Sequence, residues 1–349
     1  FSVRCDDSGI EYGGSNLNTL FAQRSNIFKP AFHRMIRDIV RFNREAIQDL
    51  DDGQLPAGMT LGNYLESNCY SESFIYQYVL PMGCAIWSAS TERITEFPIR
   101  FFIQFFKNHG LLSIKNRPQW RVIKGGSRNY LSPLTKSFKD SISVNASVKC
   151  VRRRGAGIEL VMNHGQILKY DQVVIACHSD QALALLDDPT EEERSALSSI
   201  PYQQNDVVLH TDESLLPRAR RAWSSWNYLL KKRFQERAVL SYDMNILQGI
   251  SSKTTFCVTL NATDLISENK IIEKFHYSHP VFSLESISAA ERINQLNGTL
   301  NTWFAGAYLG NGFHEDGVKS GLRVAELINI LPNLNKQNNK PKAAASAYA

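Results

Sequence analysis

A glycine-rich turn near the carboxyl end of the chain is the stretch best suited to chemistry. An apolar run from Leu300 to Ala305 predicts a buried strand, and apolar periodicity predicts a helix from His314 to Ile330. Because glycine has no side chain and a helix N-terminus carries partial positive charge, backbone N–H groups there can approach an anionic ligand. The glycines concerned are Gly306, Gly310 and Gly312 in the turn and Gly317 and Gly321 on one helix face.

This strand, turn and helix resemble the C-terminal flavin-contacting segment of the FAD-dependent amine oxidase and phytoene desaturase superfamily. The segment GFHEDGVKSG, with WRVIKGGSRNY and HTDESLLPRARRAWSSWNY upstream, is similar to a branch of predicted NAD/FAD-binding oxidoreductases, over about Phe1 to Leu331. The resemblance implies an α/β fold class. We expect a Rossmann-like FAD-binding domain, incomplete at its N-terminus, with an inserted mixed-sheet and helical substrate domain.

The resemblance also implies FAD as the cofactor and the residues that meet it. The helix that starts at His314 would face the side of the isoalloxazine ring that becomes negative on reduction. Its acidic first turn has a second interpretation, because carboxylates are favoured at helix N-termini for dipole reasons alone. Many superfamily members have Asp or Glu after the glycine that matches Gly306, whereas this chain has Ala307. The predicted residues of this segment are Gly306, Gly312, His314, Glu315, Asp316 and Gly317.

Two upstream segments are assigned to the cofactor by the same resemblance. Val148 matches a strand valine whose backbone meets the adenine. Ala176 ends the apolar run of DQVVIAC, which predicts a buried strand, and ligands of open α/β sheets bind at that end. A short strand is predicted from Trp120 to Ile123, and a helix that opens at Gly125, Gly126 and Ser127 is predicted to run to about Phe138. By the resemblance these three residues lie near the cofactor, with a plain helix cap as the alternative.

Strands in series, rather than alternating with helices, are predicted from about residue 204 to 261 and indicate a substrate-binding sheet. Trp226 and Tyr228, two apart on one strand, would share a face and could wall the space over the flavin. Core packing is the alternative for each of them. The predicted substrate-facing residues are Trp226, Tyr228, His210 and Asn261. No catalytic residue is assigned, because the chain has no Ser/His/Asp arrangement, no HExxH and no GxxxxGK motif.

Helical patterns dominate the first third of the chain. Helices are predicted from 30 to 50, from Thr60 to Glu66, and from Ser71 to about Leu80, where Pro81 and Gly83 would end the last one. Phenylalanines at helical spacing from Phe97 to Phe106 indicate a buried cap helix, an apolar tunnel wall or a membrane-surface face.

The predicted domains are 1–115 (helical cap), 116–200 (FAD-binding part), 201–283 (substrate sheet), 284–332 (C-terminal FAD-binding segment) and 333–349 (disordered tail).

Composition narrows the class of protein. The chain has 349 residues, 43% of them apolar, which is enough for a large core and two domains. A net charge of +5 is too small to indicate nucleic-acid binding, and no apolar run reaches the length of a transmembrane helix. Six scattered cysteines predict reduced core thiols in a cytoplasmic protein with no metal site. The resemblance implies a lipid-like small-molecule substrate, because members of the resembled branch occur beside, or fused to, enzymes that modify fatty-acyl chains.

The opening FSVRCDDSGIEYGG predicts two short strands around a turn, so the chain is expected to start inside a domain. In the resembled family a GxGxxG turn precedes this point. Gly155 and Gly157 offer only a GxG, which is more typical of a hairpin turn. Without the missing segment FAD affinity should fall severely. A fragment or binding protein without cofactor is therefore the alternative to an oxidoreductase, and a module binding RNA or a membrane surface through basic clusters is a third hypothesis.

Overall fold

The computed structural model describes residues 1–113, 118–119, 121–155, 157–232 and 237–338, with side chains up to residue 330. These residues form two compact units. The first joins Phe1–Ile142 with Tyr202–Leu284, and the second joins Ser143–Pro201 with the chain from Glu285 onward. The five-part domain division predicted from the sequence stays a prediction.

The strands in chain order are β1 (Ser2–Cys5), β2 (Ile10–Gly13), β3 (Val148–Arg154), β4 (Gly157–Met162), β5 (Ile167–Tyr170), β6 (Val173–Ile175), β7 (Tyr202–His210), β8 (Trp226–Leu230), β9 (Leu240–Asp243), β10 (Cys257–Leu260), β11 (Ile271–Pro280) and β12 (Thr302–Phe304). The helices are α1 (Leu17–Leu20), α2 (Pro30–Asp51), α3 (Leu61–Ser67), α4 (Glu72–Phe74), α5 (Leu80–Trp87), α6 (Thr91–Thr95), α7 (Ile99–Asn108), α8 (Leu131–Thr135), α9 (Ser179–Leu185), α10 (Glu191–Ser198), α11 (Met244–Gln248), α12 (Leu284–Leu296) and α13 (His314–Asn338).

A mixed sheet organises the first unit. Among the described residues its strand order is β11-β7-β10-β9-β8-β1-β2. The pairing of β1 with β8 is parallel, with Val3 opposite Tyr228, and the other pairings are antiparallel. The predicted strands in series are therefore confirmed, as is the opening pair of strands. The pairing of β1 with a strand more than 220 residues away was not predicted.

The phenylalanine stripe of α7 lies in the core of the first unit. Phe97, Phe102 and Phe106 are buried, and the ring centroids of Trp87 and Phe97 lie 4.7 Å apart. Tight aromatic packing of this kind is the plain alternative that the sequence offered for the stripe. The stripe therefore stabilises the helical layer, with α2 beside it burying Phe32 and Met35.

The predicted helix end at Pro81 and Gly83 is wrong. The chain runs from α4 through a π-helical turn, Ile75–Val79, directly into α5. Pro81 lies inside this continuous helical run and has no N–H to donate to the Gln77 carbonyl four residues earlier. The carbonyl of Gln77 accepts a hydrogen bond of 2.6 Å from the Tyr12 hydroxyl instead. The Tyr12 side chain of β2 thus supplies the hydrogen-bond donor that Pro81 lacks.

Residues 121–142 differ from the prediction in two respects. A strand was predicted from Trp120 to Ile123, but residues 121–123 form none, and Trp120 lies outside the described residues. The single helix predicted from Gly125 to Phe138 is broken into 3₁₀ turns on either side of α8, with a non-helical Phe138 at φ −130°. Pro133 lies inside α8, where it removes one backbone donor from this run of turns.

The second unit contains two small sheets. β3, β4 and β5 form an antiparallel sheet, and β6 pairs in parallel with β12. Trp303 and Ala305 pack against Val324 of α13 to form a local core. Within the described part of the chain α13 continues past Pro332 to Asn338, so the predicted disordered tail is wrong for residues 333–338. No glycine follows Leu331 to end the helix. Residues 339–349 lie outside the described residues.

Candidate cofactor site

The predicted glycine turn lies at the carboxyl edge of the parallel strand pair. Val174 of β6 is opposite Trp303 of β12, and the N–H of Ala305 donates to the carbonyl of Ile175 at 3.1 Å. Both strands run in the same direction, so Ala176 and Gly306 leave the sheet at the same edge. Ligands of parallel α/β sheets bind at this edge. The structure thus brings together two of the separately predicted cofactor segments.

A serine ties the turn to the helix that follows it. The N–H of Gly306 donates to the Ser320 hydroxyl at 2.9 Å, and that hydroxyl donates to the Gly317 carbonyl at 2.8 Å. The N–H of Gly306 is therefore used inside the protein. Sequence reasoning missed Ser320, although the spacing of Gly317 and Gly321 on one helix face placed this serine directly between them.

The glycines of the turn are required either by close contacts or by backbone conformation. A Cβ on Gly306 would lie 2.4 Å from the Tyr308 ring, and one on Gly310 would lie 2.6 Å from the Asp316 carboxylate. Gly312 has a φ of +90°, which side-chain-bearing residues rarely adopt. The turn is therefore folded tightly on itself, and larger side chains are excluded from it.

The first turn of α13 is capped from within. The N–H of Phe313 donates to Asp316 Oδ2 at 3.0 Å, and the N–H of Gly312 donates to the Ala307 carbonyl at 3.1 Å. Asp316 thus has the capping role that the second interpretation of the acidic turn gives it. His314 and Glu315 are exposed, and a Cβ on Gly317 would meet no atom closer than 3.9 Å. The surface that a ligand can approach is therefore narrower than predicted and centres on His314, Glu315 and Gly317.

This surface fits a flavin. The helix behind it is 25 residues long, so its first turn carries the full partial positive charge of a helix N-terminus. The bare backbone at Gly317 leaves room for close approach by a planar ring. His314 and Glu315 would hold the ring there by their main-chain N–H groups, and Gly317 would leave room for it.

The remaining predicted cofactor residues belong to other elements of the fold. Val148 begins β3, half-buried and opposite Met162, on a different sheet of the second unit. Gly125, Gly126 and Ser127 belong to the first unit, where both glycines have positive φ and Ser127 starts a 3₁₀ turn. Asn129 donates to the Lys124 carbonyl and closes this loop locally. The assignment of these four residues to the cofactor stays a prediction.

His210 does not face a ligand. Its side chain is fully buried, with Nε2 2.7 Å from the Thr259 hydroxyl and Nδ1 accepting from the Asp212 N–H at 3.0 Å. Since Nδ1 accepts, the proton must reside on Nε2, and the ring is neutral. Burial lowers the pKa of His210, consistent with this tautomer. The prediction of a substrate-facing His210 is corrected: the ring is part of a polar row that crosses the sheet.

Two other predicted substrate-facing residues are also engaged in the fold. Asn261 donates to Asn205 Oδ1 and the Ala238 carbonyl, and its own oxygen accepts from the Asp206 N–H. Tyr228 is buried and its hydroxyl bonds to the Cys84 thiol. The alternation of apolar and polar residues along these strands does not reveal the hydrogen bonds of Asn261 and Tyr228.

Trp226 keeps part of its surface open. It lies half-buried on the same face of β8 as Tyr228, edge-on to Tyr242 with ring centroids 5.5 Å apart. Burial raises the pKa of Tyr242 to about 12. Trp226 has no ionisable group and a tyrosine is neutral at pH 7, so these two side chains carry no charge there.

The thiol that follows Ala176 is not activated. Burial raises the pKa of Cys177, which follows Ala176, so the thiol stays protonated at neutral pH. In the part of the chain that the structure describes, no three His, Cys, Asp or Glu side chains are grouped to hold a metal. Cys69 is exposed, so the prediction of core thiols is wrong for that residue. The side chains at the sheet edge are suited to binding and orientation.

A parallel strand pair with a glycine turn and a helix N-terminus at its edge, together with a large mixed sheet, is the arrangement of a flavin-binding α/β protein. The model of the flavin containing amine oxidoreductases matches residues 59–240, which is more than half of the chain, and the protein belongs to this family. It is an FAD-dependent oxidoreductase.

Solved structures share the fold at low sequence identity. Cyclohexylamine oxidase from Brevibacterium oxydans IH-35A superposes with a TM-score of 0.62 at 11% identity, over 95% of this chain and 80% of that one. A CLA-producing fatty acid isomerase from P. acnes gives 0.57 at 14% identity, over 94% and 79%. Putrescine oxidase bound to putrescine gives 0.59 at 12% identity, over 94% and 80%. A comparison with curated proteins finds no match.

The predicted α/β fold class, FAD as cofactor and the oxidoreductase class are thereby confirmed. None of the described helices is both long enough and apolar enough to cross a bilayer. The individual cofactor residues and the substrate-facing position of Trp226 stay predictions.

Proposed function

We propose that the protein transfers hydride between FAD and an apolar or amphipathic small molecule, with a lipid-like compound as the substrate class. The observation that carries the proposal is the uncharged aromatic face around Trp226. A wall that holds no charge at neutral pH favours apolar ligands, because burying a charged group against it would cost several kcal/mol.

The chain's own residues would bind and orient rather than react. When bound, FAD supplies the redox chemistry by accepting or returning a hydride. The N–H groups in the first turn of α13 would stabilise negative charge in their vicinity. Ser320 would keep that turn in place through its bonds to Gly306 and Gly317. Trp226 would offer an apolar surface to the substrate.

Three observations bear on the substrate class. The fatty acid isomerase among the structural neighbours acts on a lipid, whereas cyclohexylamine oxidase and putrescine oxidase are named for amines. The fold therefore accommodates both classes, and the neutral surface at Trp226 favours the apolar one. The association of the resembled proteins with enzymes that modify fatty-acyl chains also favours a lipid-like substrate.

Anaerobic reduction of the flavin tests this proposal. The FAD-loaded protein is mixed with unsaturated fatty acids, with their esters and with aliphatic amines, and the flavin absorbance is followed. We expect bleaching by the lipid-like compounds and a slower or absent response to amines. Bleaching by amines alone would refute the substrate class while leaving the oxidoreductase assignment in place.

A binding protein without flavin is the alternative. It is favoured by the internal use of two N–H groups in the glycine turn, those of Gly306 and Gly312. The absorbance spectrum of the purified protein after addition of FAD and removal of the excess separates the two. A retained flavin spectrum supports the oxidoreductase, and a colourless protein supports the alternative.

A further inference from the structure

A cavity of about 730 Å³, which we name the polar cavity, lies in the first unit. Its walls come from the turn between β1 and β2, from the start of α2, and from the chain around α4. Pockets that hold small molecules occupy about 300–1,000 Å³, so the size is suitable. None of the described residues that line it is among those predicted for the cofactor or the substrate.

The wall around α4 is held in place by contacts behind it. The Tyr70 hydroxyl donates to Glu45 Oε2 at 2.7 Å, and the Arg41 guanidinium carbon lies 3.9 Å from the centre of the Tyr70 ring. The N–H of Ser71 donates to Asp38 Oδ2 at 3.0 Å. Side chains that are already positioned lose little conformational entropy when a ligand binds, so this wall is suited to a specific ligand.

A π-helical turn brings Gln77 to the same wall. The turn, Ile75–Val79, contains Tyr76 and Gln77, and both line the cavity. The side-chain Oε1 of Gln77 is buried and has no hydrogen-bond partner among the residues that the structure describes. Single π-helical turns often mark functional sites, and a buried acceptor without a partner is costly. Because the Gln77 side chain is only half-buried, rotation of its amide would present this oxygen to a donor in the cavity.

The charged groups of the cavity have both signs. Arg34, Asp7 and Glu72 all line it, so a ligand with one kind of charge would meet a like charge on the wall. Ser8 and Ser73 add hydroxyl groups, each of which can both donate and accept. The lining is therefore complementary to a neutral ligand whose polar groups also donate and accept.

Hydroxyl groups have this property, and several of them on one small molecule would meet carboxylate, guanidinium and amide groups together. Leu230 and the rings of Tyr70 and Tyr76 offer apolar surface to the carbon skeleton. An acyl chain would instead remove the charged groups of the lining from water without replacing their hydrogen bonds. We propose that the polar cavity binds a small polyhydroxylated molecule of the sugar class.

This inference is independent of the proposed function, because it rests on neither the flavin nor an apolar substrate. Flavin reduction and sugar binding are measured separately, so either one can fail alone.

Saturation-transfer NMR on the full chain tests the polar cavity. The probes are glucose, maltose and myo-inositol, with butylamine and butyrate as charged comparisons of small size. We expect transfer to the ring protons of the polyhydroxylated probes and none to the charged ones. Binding of an uncharged probe should stay constant as salt rises, because no charge on the ligand is screened.

Gln77→Leu separates a binding role from a structural one. It removes a buried acceptor that has no partner among the described residues, so the thermal midpoint of the ligand-free protein should stay the same or rise. Binding of the probe should weaken roughly two- to twelvefold, from the loss of one hydrogen bond between uncharged groups. Should this variant fail to fold, Ser73→Ala tests the same wall, with a loss of binding in the same range.

Gln104→Leu is the matched control. Gln104 is exposed on α7, where its amide donates to Asn108 Oδ1 at 2.7 Å. The same replacement at this position should leave binding of the probe unchanged.

Four results would overturn the proposal. The first is absence of transfer to every polyhydroxylated probe, and the second is equal loss of binding in Gln104→Leu. The third is binding of butylamine or butyrate that Gln77→Leu weakens and salt abolishes, which would assign the cavity to an ionic ligand. The fourth is a lower thermal midpoint of ligand-free Gln77→Leu with unchanged binding of the probe, which would make the amide structural.

Discussion

Replacing Gly317 by alanine separates stability from cofactor binding. The position lies in the first turns of α13, where its N–H donates to the Phe313 carbonyl at 3.2 Å. A Cβ there meets only Ala307 atoms, the nearest of them at 3.9 Å. The protein itself therefore has room for the methyl group. A flavin that lies directly against this backbone would not.

The two effects have opposite signs. Glycine inside a helix costs about 1 kcal/mol relative to alanine, so Gly317→Ala should raise the free energy of unfolding by about that amount. Overpacking a contact by one methyl group costs about 1–3 kcal/mol, so FAD affinity should fall roughly five- to 150-fold. Gly317→Val, which adds branched bulk, should abolish flavin retention.

Gly321→Ala is the matched control. It lies one helical turn further along α13, and a Cβ there meets no atom within 4 Å. Its helix propensity gain is the same, but it is further from the first turn. We expect it to stabilise the protein without changing FAD affinity.

The assay combines two measurements on each variant. Urea unfolding gives the change in stability without cofactor, and titration of FAD fluorescence gives the dissociation constant. If Gly317→Ala becomes more stable and binds FAD as tightly as Gly321→Ala, the placement of the flavin against the first turn of α13 is wrong.

Three further predictions concern other parts of the fold. Trp226→Ala should alter turnover or substrate choice in steady-state kinetics with FAD still bound; loss of fold would mark Trp226 as core. Burial lowers the pKa of His210, so its contribution to stability is complete above about pH 6.5 and declines below it as the unfolded state takes up a proton. His210→Gln should flatten this decline in urea unfolding at several pH values, and an unchanged pH profile would contradict the neutral buried ring. Ser320→Ala should lower stability by about 1–3 kcal/mol, because the N–H of Gly306 loses its acceptor; an unchanged thermal midpoint would count against that bond.

Elements set by local pattern were predicted well. α13 begins at the predicted His314, and α2 covers the helix predicted from 30 to 50. Strong periodicity and glycine turns determine both without reference to the rest of the chain. The predicted carboxyl-edge position of Ala176 and of the glycine turn also follows from local pattern, since each segment is a strand that ends in a turn.

Features that depend on distant partners were not predictable. Nothing near Ser2–Cys5 shows that this strand pairs with Trp226–Leu230. The Tyr12 hydroxyl that bonds to the Gln77 carbonyl allows the helix to continue through Pro81, and no local rule supplies it. For the same reason His210 looked available for a ligand, although Thr259 and the Asp212 backbone satisfy both ring nitrogens.

Amide hydrogen exchange across the glycine turn tests the central claim most directly. Exchange is measured on peptides that cover Gly312–Gly317, with and without FAD, and peptides from β11 serve as the internal reference. The claim predicts that FAD slows exchange in the turn and in the first turn of α13 and leaves β11 unchanged. Binding of FAD with no protection at Gly312–Gly317 would contradict it.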